Sequence, residues 1–268
     1  MRIIVKYIVL LLIMLMAGSC GDPKPSPGPD NHSKVNFAKG ADVSWADPGK
    51  QNKPAAWVNL PFEELKGALV SHTIEILEAL KGEGISPEWV QVGNETSDGM
   101  LWEYGRASVN MKNYTDLHNA GYRAVKEVFP EAKVILHIDR GDSGAHYNWL
   151  LDGMALHAAQ YDVIGMSLYP DPNNWQYVNE ACLINMKELI GKYNKDVMIC
   201  EVGMSWDQPE ICKGFLIDLI DKVLEKTDGR CLGVLYWEPQ GFVNWSHYTK
   251  AAFDNTGRPT VALDAFKD

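Results

Sequence analysis

An α/β fold on a parallel sheet is what this sequence predicts, and three observations carry that expectation. Short apolar runs alternate with longer amphipathic stretches along most of the chain. The runs are near-continuous in apolar character, as strands become when helices cover both sides of a sheet. Their C-terminal ends are unusually polar, which in barrel folds marks the face that carries chemistry.

The predicted strands are Gly40 to Ser44, Glu88 to Val92, Lys133 to Ile138, Val163 to Leu168, Val197 to Glu201 and Leu232 to Trp237. Amphipathic helices fit Pro61 to Lys81, Tyr114 to Val128, Tyr147 to Gln160, Val178 to Tyr193 and Pro209 to Glu225. This βα repetition suits either a closed barrel or an open, doubly wound sheet. No Gly-rich phosphate loop follows the first strand, which disfavours the dinucleotide-binding version. The strand ends present Asp42 and Ser44, Asn94 and Glu95, His137 and Asp139, Ser167 and Tyr169, Glu201, then Trp237 and Glu238. One histidine at a strand end is more often structural than catalytic. Polar or aromatic groups at every end together point to an active-site face.

Ahead of this domain lies a different kind of sequence. Residues 1–20 read as a targeting segment, with Arg2 and Lys6 before the apolar stretch Ile8 to Met16. Ala17-Gly18-Ser19-Cys20 resembles a relaxed bacterial lipobox, in which Cys20 is lipidated and becomes the mature N-terminus. An ordinary cleaved signal peptide is the alternative. A membrane-spanning anchor is disfavoured, because the stretch is short against the about 20 residues a span needs. Residues 21–35 form a Pro/Gly/Ser-rich linker, and the globular domain occupies 36–268.

A net charge of −10 argues against nucleic acid and against an anionic polymer as partner. A neutral ligand fits better. Nine tryptophans and eleven tyrosines, several in predicted loops, suit stacking on sugar rings as well as core packing. Cys182, Cys200, Cys212 and Cys231 match no zinc spacing. Some could pair in an oxidising compartment, while Cys200 and Cys231 within apolar strands read as buried thiols.

Two of the strands end in glutamate. Trp89-Val90-Gln91-Val92-Gly93-Asn94-Glu95 and Val197-Met198-Ile199-Cys200-Glu201 each place a carboxyl group at the mouth of the sheet. Acid-catalysed glycoside hydrolysis requires such a pair. For either glutamate alone, a structural salt bridge or a helix-capping role is the more ordinary explanation.

Several stretches then resemble a known family. Trp89 to Glu95, followed by Asp98-Gly99-Met100-Leu101-Trp102, is similar to the acid/base strand and loop of glycoside hydrolase family 53. Phe37 to Ser44 looks like that family's first strand. Ser44 to Gln51 with Pro54-Ala55-Ala56-Trp57 looks like the loop after its third strand. Leu235-Tyr236-Trp237-Glu238-Pro239 and Gly257 to Leu263 resemble its closing strand and C-terminal helix. The resemblance implies a retaining (β/α)8 TIM barrel and endo-β-1,4-galactanase activity on type I arabinogalactan, the pectin side chain. One departure is large. Six βα units are counted, and the first-strand motif runs straight into the third-strand loop motif at Ser44 and Trp45. An incomplete barrel of about six units is therefore expected. It lacks counterparts of the family's second-strand arginine and third-strand His/Asp pair.

Carried onto this sequence, the resemblance makes Glu95 the general acid/base and Glu201 the nucleophile. Asn94 would bond the sugar 2-hydroxyl. Tyr169 would sit beside the nucleophile, Trp237 would stack the sugar, and His137, Asp139 and Asp42 would line the cleft. Trp102 is a candidate sugar platform, as are Trp57, Trp206 and Trp245. Retention of configuration requires carboxyl groups about 5–5.5 Å apart. No cofactor is implied. The loop Val202 to Pro209 is too short for the calcium site of some family members, so no metal is expected. The expected partners are galactan and, through lipid on Cys20, a membrane, with the chain a monomer. Its expected place is beyond the inner membrane, as an outer-membrane or cell-surface lipoprotein of a bacterium. Two functions remain open: a surface-anchored galactanase, or a non-catalytic remnant that at most binds galactan.

Overall fold

Six parallel strands form one curved wall, and five long helices cover its outer face. The computed structural model describes residues 11–14 and 38–42 as backbone and residues 53–267 in full. Cys20, the linker and the junction at Ser44 and Trp45 lie outside the described residues. The strands are β1 (Leu11–Met14), β2 (Ala38–Asp42), β3 (Trp89–Val92), β4 (Lys133–Ile138), β5 (Val163–Leu168), β6 (Asp196–Val202) and β7 (Cys231–Trp237). The long helices are α1 (Phe62–Gly82), α2 (Met111–Val128), α3 (Gly144–Ala155), α4 (Trp175–Tyr193) and α5 (Pro209–Lys226).

All six expected strands are present, in the order β3-β4-β5-β6-β7-β2, each parallel to its neighbour. The two ends of the sheet are not paired with each other among the described residues, so the barrel is incomplete, as six units imply. Beyond β3 lies β1, paired antiparallel with Leu11 opposite Val92 and Met14 opposite Trp89. An open edge offers a row of unpaired N–H and C=O groups, and an apolar segment of this chain satisfies them. Among the described residues, no helix is long and apolar enough to cross a membrane.

The pleat sorts side chains between two environments. Val134, Leu136 and Ile138 of β4 join the main core beneath the helices, with Val197 and Ile199 of β6. Trp89, Ile135, Val163, Met198, Cys200, Leu232 and Leu235 form a second cluster on the concave face. Gly165 belongs to that concave layer. A Cβ there would lie 2.6 Å from Ile135 and 2.8 Å from Cys200, so only glycine fits between them. The question of pairing is settled: Cys182, Cys200, Cys212 and Cys231 are all free and buried. Burial pushes the thiols of Cys212 and Cys231 up to about 11 and about 12.

Three helices begin one turn earlier than the apolar pattern predicts: α2 at Met111, α3 at Gly144 and α4 at Trp175. At α2 the reason is a cap, since the Asn110 side chain accepts a hydrogen bond from Asn113 N–H at 3.0 Å. Helix α3 also ends sooner, at Ala155 rather than Gln160. Ala158 adopts a left-handed backbone (φ 56°) that the helix cannot continue through.

Candidate active site

The polar ends of β3 to β6 converge at one mouth of the wall. After β3 the chain turns through Gly93 (φ 78°) and Glu95 (φ 44°). Thr96 fixes this turn to the next strand, its N–H donating to the His137 carbonyl at 2.8 Å. The Thr96 hydroxyl also meets the Tyr114 hydroxyl at 2.6 Å, which anchors the turn to α2. A left-handed conformation at a glutamate is uncommon and costs about 1–3 kcal/mol. Here the surrounding bonds hold it, and it aims the Glu95 carboxyl toward the cleft.

Glu201 reaches the same cleft by another device. Pairing between β5 and β6 slips by one residue, from Met166 opposite Ile199 to Ser167 opposite Glu201. The extra residue is Cys200, so consecutive residues Cys200 and Glu201 both serve the concave side. Such a bulge re-aims a side chain beside a site without moving the strand. Glu201 is only 3% exposed. Its Oε2 accepts a hydrogen bond of 2.7 Å from the Tyr169 hydroxyl. Burial, then the Glu201 charge, push the Tyr169 phenol well above its ordinary value, which keeps it a donor.

His137 stands between the two glutamates and is fully buried. Its Nδ1 lies 3.1 Å from Asn94 Oδ1 and 4.0 Å from Glu201 Oε1, and its Nε2 lies 2.8 Å from Ser167 Oγ. Asn94 Oδ1 also accepts from Gln91 Nε2 at 3.0 Å. The chain of contacts runs Gln91, Asn94, His137, Ser167 and orients the amide beside Glu95. One donor atom each from Glu95, His137 and Glu201 lie within 4.8 Å of one another. That trio could in principle ligate a cation. Both ring nitrogens of His137 are already committed to Asn94 and Ser167, so the arrangement suits proton transfer better than metal binding.

An open cleft of about 330 Å³ borders this trio at Glu95 and is lined also by Asp139, Arg140, Ser167, Tyr169 and Asn174 among others. Asp139 is fixed by Ser97, whose hydroxyl donates to Oδ1 at 2.5 Å. The structure thus brings Asn94, Glu95, His137, Asp139, Tyr169 and Glu201 together. Trp237 ends β7 and packs edge-on against Tyr248, with ring centroids 4.7 Å apart. Asp42 ends β2, in register with Trp237. Trp102 is held within its own loop. Its Nε1–H donates to the Asp98 carbonyl at 2.9 Å, and the Arg106 guanidinium lies 4.3 Å from its ring.

Two contributors, Gln91 and Tyr248, go beyond the expected site, and Ser167 gains a defined partner in it. Gln91 and Ser167 sit on the concave face by the same period-two alternation that places His137, a pattern legible in the strands. Tyr248 comes from a loop and packs near Gly203, where a Cβ would lie 3.1 Å from its hydroxyl. No local pattern marks it. Burial, then the charges of Glu201 and Glu238, raise its phenol above the ordinary value.

Against known proteins, the chain shows a consistent likeness. The model of glycosyl hydrolase family 53 matches residues 41–266. An uncharacterized protein from the bgaB 5′ region of Niallia circulans is 32% identical over 264 residues, covering 83% of this chain and 71% of the relative. The endo-beta-1,4-galactanase of Bacillus subtilis (strain 168) is 30% identical over 216 residues, covering 73% of this chain. This chain spans only 48% of the length of that galactanase. Among solved structures, the family 53 catalytic domain from Ignisphaera aggregans superposes with a TM-score of 0.72 at 26% identity, over 84% of this chain and 70% of that one.

Proposed function

The chain belongs to glycosyl hydrolase family 53, and from that premise we propose that it is a retaining endo-hydrolase of β-1,4-galactan. The single observation that carries this reading is the short approach of two carboxylates, with Glu95 and Glu201 oxygens within 4.8 Å. Retaining enzymes hold their carboxyl groups about 5–5.5 Å apart, whereas inverting ones leave about 6.5–9.5 Å for a water. Names of relatives such as the Bacillus subtilis endo-beta-1,4-galactanase support the substrate.

In the first step Glu95 donates its proton to the departing glycosidic oxygen as that bond breaks. Glu201, ionised and held by Tyr169, attacks the anomeric carbon from the opposite face and forms a galactosyl ester. In the second step Glu95, now a carboxylate, takes a proton from water. That water attacks the anomeric carbon, and Glu201 departs as carboxylate. Asn94 lies beside Glu95, where it can bond the sugar 2-hydroxyl as positive charge develops. Asp139, with its carboxylate fixed by Ser97, offers an acceptor to a neighbouring hydroxyl. Lipid on Cys20 would hold the domain at a membrane surface, and the cleavage that accompanies it would remove residues 1–19, β1 included. Labelling of the chain with radioactive palmitate, abolished in Cys20→Ser, tests this.

Reducing-sugar release from galactan tests the reading. Glu201→Gln and Glu95→Gln should each abolish it, and proton NMR of early products should show the β-anomer first. The α-anomer appearing first would overturn the retaining assignment. A second reading, a galactan binder without turnover, is favoured by the open wall of six parallel strands. It predicts affinity for galactan with no sugar release from the unmodified chain.

A further inference from the structure

A second recess lies on the rim, between the start of α3 and the outer face of α4. It encloses about 250 Å³ and shares Asp142 with the catalytic cleft. The two are also neighbours along α4, since Asn174 and Val178 line the cleft and Tyr177 lines the recess. Tyr177 is 74% exposed, more than any other aromatic among the described residues. Ile184, two turns on along the same face, is 52% exposed. The outward face of a helix in such a fold is ordinarily polar, so an aromatic ring left in solvent here invites a ligand.

The polar lining narrows the class of that ligand. Carboxylates of Asp142, Glu180 and Glu188 surround the recess, and no basic side chain lines it. On its floor Asn185 is 2% exposed, and its amide nitrogen donates to the Gly141 carbonyl at 2.8 Å. The Asn185 Oδ1 has no hydrogen-bond partner. The surface therefore offers hydrogen-bond acceptors beside one flat aromatic face. Acidic polymers would be repelled, while the hydroxyl groups of a neutral sugar supply the matching donors.

We propose that this recess is a distal subsite for the same galactan chain that enters the catalytic cleft. Tyr177 stacks one galactosyl ring, and Asp142, Glu188 and Asn185 accept hydrogen bonds from its hydroxyls. The proposal rests on the galactan reading of the cleft. A polymer long enough to touch both places gains affinity because the second contact is intramolecular, whereas a short oligosaccharide fills the cleft alone.

The test is native electrophoresis of the full chain through gels containing β-1,4-galactan, with calorimetric titration of galactotriose in parallel. Tyr177→Ala should weaken polymer retention about tenfold, the scale of one lost aromatic contact. It should leave galactotriose affinity and the melting temperature unchanged, and Tyr177→Phe should bind the polymer like the parent. Tyr177→Ala retained as strongly as the parent would overturn the distal subsite and leave the reading of the cleft intact. Equal loss of polymer and galactotriose binding would also overturn it. A parent chain that galactan does not retard overturns both.

Discussion

Replacing Tyr169 with phenylalanine removes one oxygen and little else. The ring still fits against Gly203, where a Cβ would lie 3.0 Å from the Tyr169 Cε1. What disappears is the 2.7 Å hydrogen bond to Glu201 Oε2. That bond joins a neutral phenol at the cleft wall to a buried carboxylate. Bonds to charged groups contribute about 1.5–3 kcal/mol, so kcat/KM on galactan should fall roughly 10- to 150-fold. Most of the loss should appear in kcat, because the bond positions the attacking group rather than the sugar. The phenol donates to the ionised carboxylate, so its removal makes protonation easier and moves the acid limb of the kcat/KM profile to higher pH. Initial rates of reducing-sugar release across about pH 4 to 8 measure both effects. A variant within about threefold of the parent, with the acid limb unmoved, would refute the role given to Tyr169 and weaken that of Glu201.

His118 is completely buried on α2, and burial lowers its pKa from 6.5 to about 4. The unfolded chain takes up this proton below about pH 6.5 and the folded chain only near pH 4, so stability is lost as pH falls through that window, by at most roughly 3 kcal/mol. Denaturant titrations from neutral pH downward should show a shallower loss in His118→Phe, and an identical slope would refute the assignment. Gly99 has φ 84°, and a Cβ there would lie 1.9 Å from the Gly105 carbonyl oxygen. Gly99→Ala should therefore cost about 1–3 kcal/mol of stability and loosen the loop that holds Trp102, seen as a lower melting temperature. A melting temperature within about one degree of the parent would show that the loop relaxes freely. Backbone amides of β3 should exchange hydrogen faster than those of β6, because β6 lies between two parallel strands while the outer edge of β3 meets only Leu11–Met14. Equal protection would mean that the edge is as firmly held as the centre.

Most of the wall was legible because its strands are buried on both faces. Such strands appear as unbroken apolar runs, and each one was identified to within two residues at its ends. The glutamate positions were legible for the same reason, since each stands where an apolar run stops. How Glu201 enters the cleft was not. Strict alternation places it opposite Cys200, and only the one-residue slip between β5 and β6 turns it inward. Bulges depend on the pairing of two strands and leave no mark in one. The starts of α2, α3 and α4 fall a turn before the apolar pattern begins, and at α2 the side-chain cap from Asn110, which no apolar period marks, decides the boundary. Tyr248 illustrates the remaining limit. It reaches the site from a loop beyond β7, and no period relates it to Glu201.

The open edge and the carboxylate pair concern different parts of the sheet. Glu95 follows β3 and Glu201 lies on β6, and the strands between them, β4 and β5, are both present and in parallel register. The contacts that align the pair run through those strands, from Asn94 to His137 to Ser167, and separately from Tyr169 to Glu201. None of them crosses the gap. A missing wall therefore need not spoil the distance between the two carboxyl groups. Its effect falls unevenly, because β3 has an inner neighbour in β4 but only the short β1 outside it. Glu95 depends on the strand nearest the gap, whereas Glu201 sits deep in the continuous part. With Glu95 as the proposed acid/base and Glu201 as the proposed nucleophile, any loss of activity caused by the shortened barrel should accordingly appear first in proton transfer and only later in nucleophilic attack. Substrates with activated leaving groups, which need no proton from Glu95 to depart, should be cleaved with the smallest handicap.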